Sequence, residues 1–148
     1  MEPMELNAGR FHLRPLRLDG RVDDAPALAL APGRAVYPEY FEVAAADWAA
    51  DRVYRWAVAE QTNIDLLAEV TVTLVGDDGA EVVIHVAGDP NRVVEVDDPT
   101  LAPVTVSDAA DAAKQVVGRW IEGFLGRTPL APRPFPGHQG QTRPVDER

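Results

Sequence analysis

Three features of the chain predict an α+β domain: an antiparallel sheet of four to five strands, flanked by helices, with a C-terminal amphipathic helix packed across one face. The hydrophobic period changes from about 3.6 to 2 near residue 52. Three alternating runs then follow one another through short turns, the signature of a meander. A long apolar stripe at helical spacing comes after them, and must dock on a flat apolar surface.

In order along the chain, RFHLRPLRLDG places Phe11 and Leu13 in a first strand that Pro15 interrupts, since a missing amide confines proline to an edge or an end. In RVDDAPALALAPGRAVY, Asp23 or Asp24 is a cap and Pro26 a first-turn residue, which predicts at most two turns of helix ending at Pro32-Gly33. PEYFEVAAADWAAD sets Tyr40, Phe41, Ala44, Ala45, Trp48 and Ala49 at helical spacing, with Pro38 at the first position and the end near Asp51.

RVYRWAVAE then alternates. Tyr54, Trp56 and Val58 share one face, and Val53, Arg55 and Ala57 the other. LLAEVTVTLVG is the clearest strand, with Leu66, Ala68, Val70, Val72 and Leu74 against a half-polar face of Leu67, Glu69, Thr71 and Thr73. Asp77-Asp78-Gly79 supplies a hairpin turn, Val82, Ile84 and Val86 share one face of a third strand with Glu81, Val83 and His85 on the other, and Gly88 to Asn91 turns the chain into a further strand, RVVEV.

The best helix begins at Ser107, read as its N-cap, with Asp108 and Asp111 at the positive end of the dipole. Its stripe runs through Ala109, Ala113, Val117, Trp120, Ile121 and Phe124, and Gly126 ends it. The domain is therefore expected over residues 1–126, followed by a Pro-rich extended tail over 127–148 without periodicity.

Composition narrows the function classes. With 148 residues, 46% of them hydrophobic and 26% charged, one globular domain is expected. The absence of cysteine excludes a thiol nucleophile, a disulfide framework and a Cys-based zinc site, and is compatible with a reducing cytoplasm, where the protein is expected. MEPMELNAGRFHLRP lacks an apolar core of signal-peptide length, and no run reaches the roughly 20 residues of a spanning helix, so no membrane partner is expected. A formal charge of -10 repels the phosphate backbone, which argues against nucleic acid.

Candidate chemistry is sparse. His12, His85 and His138 have no metal-ligand spacing, so no metal site is assigned. His85 is read as a strand-surface residue, with general base as the alternative. Glu69 and Glu81 are two strand carboxylates that either face each other across the hairpin as an acid-base pair or point separately to solvent. Trp48, Tyr54 and Trp56 concentrate aromatic area where helix gives way to strand, and serve either core packing or a groove or subunit interface. The tail segment PLAPRPFPG has the composition of a polyproline ligand for an aromatic groove, or of a linker.

The phrases ELNAGRFHLRPLRLDGRVDD, ADWAADRVYRWAVAE, LLAEVTVTL and AEVVIHVAGDP, spanning roughly residues 5 to 90, together resemble the GCN5-related N-acetyltransferase family, in the branch of ribosomal-protein alanine acetyltransferases. The resemblance implies that family's element order and a site for acetyl-coenzyme A, whose pyrophosphate is held by backbone amides of a glycine-containing loop opening a helix. In this chain Arg92 is followed by Val93 and Val94, and Glu95 stands where the first glycine is expected, with Asp97 and Asp98 close behind. Carboxylates beside a pyrophosphate cost several kcal/mol. The later strands that complete the family's cleft are not expected from the Pro-rich remainder. No catalytic, cofactor-binding or metal-binding residue is therefore carried over, and no cofactor is expected. The reading is a non-catalytic acetyltransferase-like domain that acts by protein association, as a homo-oligomer or with a protein partner. A divergent N-acetyltransferase that does use acetyl-coenzyme A, and a small acidic inhibitor or immunity-type protein, are the alternatives.

Overall fold

The computed structural model describes residues 1–30 and 37–132. Six strands form one sheet in sequence order: β1 (Leu6–Ala8), β2 (Phe11–Arg14), β3 (Val53–Glu60), β4 (Ala68–Val75), β5 (Gly79–Val86) and β6 (Thr128–Leu130). The helices are α1 (Ala25–Leu28), α2 (Glu39–Ala49) and α3 (Val106–Trp120), the last extended by one π turn, Ile121–Leu125. The α+β class and the helix packed on the sheet are as the sequence predicts, with six strands in place of four or five.

Neighbouring strands from β1 to β5 are antiparallel, and β6 is parallel to β5. Parallel neighbours need a crossover, and α3 is that crossover. It lies over one face of the sheet and touches every strand from β1 to β5. Its inner stripe, Val106, Ala109, Ala113, Val117, Trp120 and Ile121, is buried against Phe11, Leu13, Tyr54, Trp56, Val58, Val70 and Val72. The two alanines let the helix axis approach the strands closely, and each buried valine contributes about 1.5–3 kcal/mol.

The second face is covered in part by α1 and α2, where Leu28 packs with Ala57, Leu66 and Ala87, supported by Tyr40 and Phe41. Because β2 pairs only with Ala57 to Glu60 of β3, the start of β3 is left for α2 to flank. The Trp48 indole N–H donates to the Arg55 carbonyl at 3.2 Å, and the Trp56 indole N–H donates to the Met4 carbonyl at 2.7 Å.

Several local expectations are corrected. RVVEV is not a strand; only the single bridge Val93 to Thr105 forms, because the connection folds back toward the start of α3. The cap of α3 is Thr105 and not Ser107, whose amide instead donates to the Pro90 carbonyl. Phe124 is 56% exposed: the π turn widens the last helical turn, and the ring stacks on the outside of Trp120. Gly126 does end the helix, in the left-handed region at φ 68°. Within the stretch read as an extended tail, Thr128–Leu130 pairs with Gly79–Glu81 as β6. Residues 133–148, including RPFPG and His138, lie outside the described residues, as does Pro32-Gly33. No helix among the described residues is long and apolar enough to cross a membrane.

Candidate functional site

The connection from β5 to α3, residues 87 to 105, is where a phosphate-binding loop would lie in a strand-loop-helix frame. It leaves β5 through Gly88, whose φ of +80° favours glycine. The Asp89 carboxylate accepts from the Asn91 amide, and the Arg92 guanidinium donates to the Ala87 carbonyl at 3.2 Å, closing a tight turn. Val94 enters the core, and its amide donates to the Val104 carbonyl, so the two limbs of the loop are joined across their base.

These bonds decide what the N-terminus of α3 offers a ligand. The first three amides of a helix have no intrahelical acceptor and are the usual donors to a bound anion. Here the Val106 N–H donates to the Arg92 carbonyl at 3.0 Å and the Ser107 N–H to the Pro90 carbonyl at 2.7 Å. The Asp108 N–H donates to Thr105 Oγ1 at 3.2 Å. Asp108 returns its carboxylate to the Thr105 N–H at 2.8 Å, completing a capping box. All three amides are engaged within the chain, and a carboxylate already occupies the positive end of the dipole.

The loop's other acids add to this. Glu95 and Asp97 are exposed. The Thr100 hydroxyl and amide both donate to Asp98 and hold its carboxyl below the ordinary value, so it is ionised at neutral pH.

Beside the loop lies a cleft of about 590 Å³, bounded by α1, residues 63–67 and Arg92 to Glu95. Its walls include Val22, Leu66 and Val94, and its charged lining Arg21, Asp23 and Asp65. Glu60, at the end of β3, lines both this cleft and a second one of about 550 Å³ on the far side of the 61–65 turn. One Glu60 oxygen accepts from the amide and hydroxyl of Thr62, and the other stands 3.8 Å from Arg10 Nη2, beyond hydrogen-bond reach. At the shared wall of these clefts, Arg14 and Asp24 form a buried bidentate pair at 2.8 and 2.9 Å.

The strand register places the other candidates. Glu69 lies opposite His85, and Glu81 lies opposite Thr73, so the two carboxylates do not face each other: they share a face but stand four positions apart along the hairpin, with the Thr71–Val83 pair between them. Glu69 is buried and accepts from the Tyr40 hydroxyl at 2.5 Å, whereas His85 is exposed on the same sheet face. Arg55 lies 5.2 Å over the Tyr40 ring and donates to Asp47 at 2.7 Å. Burial pushes the Asp47 carboxyl up, but hydrogen bonds from Arg55 and Arg52 outweigh it and hold the group below its ordinary value. Neither Tyr40 nor Arg55 stood out in the sequence. The period-2 pattern of β3 does put Arg55 on the non-core face, but pairing with a helix eight residues earlier has no sequence signal.

Trp48, Tyr54 and Trp56, for which both core and interface roles were open, lie in the core at 2%, 1% and 0% exposure. They meet Trp120 edge to face, with Trp56 and Trp120 centroids 5.0 Å apart at 86°. His12 contacts Glu5 at 3.3 Å, and among the described residues no three acids or histidines are grouped to hold a metal.

No family model, curated protein or solved structure matches this chain.

Proposed function

We propose that the chain is a non-catalytic acetyltransferase-like domain that acts by protein association, with itself or with another protein, and does not bind coenzyme A. The observation that carries this reading is the self-capped N-terminus of α3. Val106, Ser107 and Asp108 donate their amides to Arg92, Pro90 and Thr105, so a pyrophosphate would find no free backbone donor and would meet the Asp108 carboxylate. Part of the element order supports the frame: behind the added short strand β1, the strand β2, two helices, a three-strand meander, a loop and a helix follow in the order the resemblance implies, and β6 comes after them. The same reading places the domain in the cytoplasm, in keeping with a chain free of cysteine.

Calorimetric titration with acetyl-coenzyme A, beside light scattering of the free protein, tests it. No heat of binding together with a mass above that of one chain is the expected result. Micromolar binding would overturn the reading in favour of a divergent N-acetyltransferase.

A further inference from the structure

A groove of about 420 Å³ lies on the α3 side of the sheet, between that helix, Val82 and Ile84 of β5, and Pro129 and Leu130 of β6. Val82 and Ile84 are half-buried and pack against the core under α3, so this is the sheet face away from Glu81 and His85. The volume falls within the roughly 300–1,000 Å³ of small-molecule sites. Its lining is apolar with one exception, Lys114.

Two residues of α3 shape the groove. Lys114 and Gly118 stand one turn apart on the same face of the helix. Glycine weakens a helix interior relative to alanine, and packing does not require it here, because a Cβ at Gly118 would meet nothing within 4 Å. Its effect is to leave space where a larger side chain would fill the groove. Lys114 is the only lysine of the chain, is exposed, and makes no ion pair among the described residues.

Charge separates this groove from the two clefts on either side of the 61–65 turn. Asp23, Asp65 and Glu95 line the first and Glu5 and Glu60 the second. Among the described residues, no carboxylate lines the groove. A lysine lays its stem along apolar surface and keeps its ammonium in water. An apolar trough with one unpaired cation at its rim therefore matches a molecule with an apolar chain and an anionic head.

We propose that this groove binds a medium-chain fatty acid, its carboxylate on Lys114 and its alkyl chain laid over Gly118 between Ile84 and Leu130. Burial of the chain supplies most of the affinity, and the ammonium selects the anionic head. The site is separate from the N-terminus of α3 and stands whether or not the reading of that N-terminus holds.

Calorimetric titration of the full chain with dodecanoate, below its micelle-forming concentration, tests the assignment. Saturable binding of one molecule per chain is expected. Gly118→Leu should abolish it without lowering the melting temperature, since leucine favours a helix more than glycine does and enters open space. Lys114→Met keeps the apolar stem without the charge, and should weaken dodecanoate about tenfold while leaving dodecanol unchanged. Binding that survives Gly118→Leu would place the ligand elsewhere and overturn the groove. Binding that Lys114→Met leaves as tight as in the parent would overturn the anionic head, and with it the fatty acid. A parent that shows no saturable binding would overturn the proposal outright, with the residues after Pro132, which itself lines the groove, as the alternative occupant.

Discussion

Thr105 and Asp108 hold each other at the entrance to α3: the threonine hydroxyl accepts from the Asp108 amide, and the Asp108 carboxylate accepts from the Thr105 amide at 2.8 Å. The pair stabilises the helix and fills the position an anion would take. Thr105→Ala should lower stability by about 1 kcal/mol, the usual cost of losing a cap. Urea denaturation measures this. Ser107→Ala should cost much less, since the serine is not the cap, and equal losses at the two positions would contradict the assignment.

Trp120 and Phe124 are adjacent on the helix and stacked, at a centroid distance of 5.5 Å, yet they have different consequences. Trp120 touches Trp48, Tyr54 and Trp56 inside the core, so Trp120→Ala should cost about 3–5 kcal/mol. Phe124 is mostly exposed, and Phe124→Ala should cost less than about 1 kcal/mol. Thermal melts of the two variants separate these outcomes.

That difference also marks where the sequence stopped being legible. The stripe from Ala109 to Phe124 correctly gives a helix with one buried face, because burial repeats at the α period; the π turn at Ile121–Leu125 breaks the period where the chain must turn toward β6. The meander was readable because its side chains alternate and its turns are short: Tyr54, Trp56 and Val58 of β3 and Ala68, Val70 and Val72 of β4 share the core face as predicted. The alternation fails where β4 begins, since Leu67 joins that core and Leu66 packs with Leu28 on the other face, and Glu69, read on a solvated face, is buried. Thr128–Leu130 was not readable as a strand, since three residues around Pro129 carry no period; the pairing is created by α3 returning the chain beside Gly79. At the candidate site the sequence showed the missing glycines. It did not show that Arg92 and Pro90 carbonyls take up the helix amides, because those bonds depend on how the loop folds over its own base.

Acid should destabilise the domain in a definite window. Backbone N–H groups of Arg21 and Val22, and then the Arg17 side chain, hold the Asp19 carboxyl at about 2, against 3.8 ordinarily. Asp47, Asp51 and Asp98 are lowered as well. A carboxyl lowered by folding contributes its stability above its unfolded value and loses it as pH falls through its folded value. Stability should therefore be level down to about pH 4 and fall from there toward about pH 2. Asp19→Asn should make that fall shallower in a pH series of urea midpoints, and an unchanged acid limb would remove Asp19 from the account.

The buried pair at the wall of the clefts gives the last prediction. Arg14 reaches Asp24 through both terminal nitrogens and also donates to the Ile64 and Pro15 carbonyls, while Asp24 accepts from the Arg17 amide at 2.6 Å. The pair thus ties β2 to α1 and to the turn after β3. Removing one partner leaves a desolvated charge, so Asp24→Ala and Arg14→Ala should each cost about 3–5 kcal/mol. Removing both abolishes the stranded charge, and the double variant should be destabilised by clearly less than the sum of the two, with a coupling of about 1–3 kcal/mol in a double-mutant cycle. Additive losses would mean that the two groups contribute independently through their backbone contacts. In that case Arg14 would hold the turn at Ile64 without help from Asp24, and α1 would be fixed chiefly by Leu28 in its pocket of Ala57, Leu66 and Ala87.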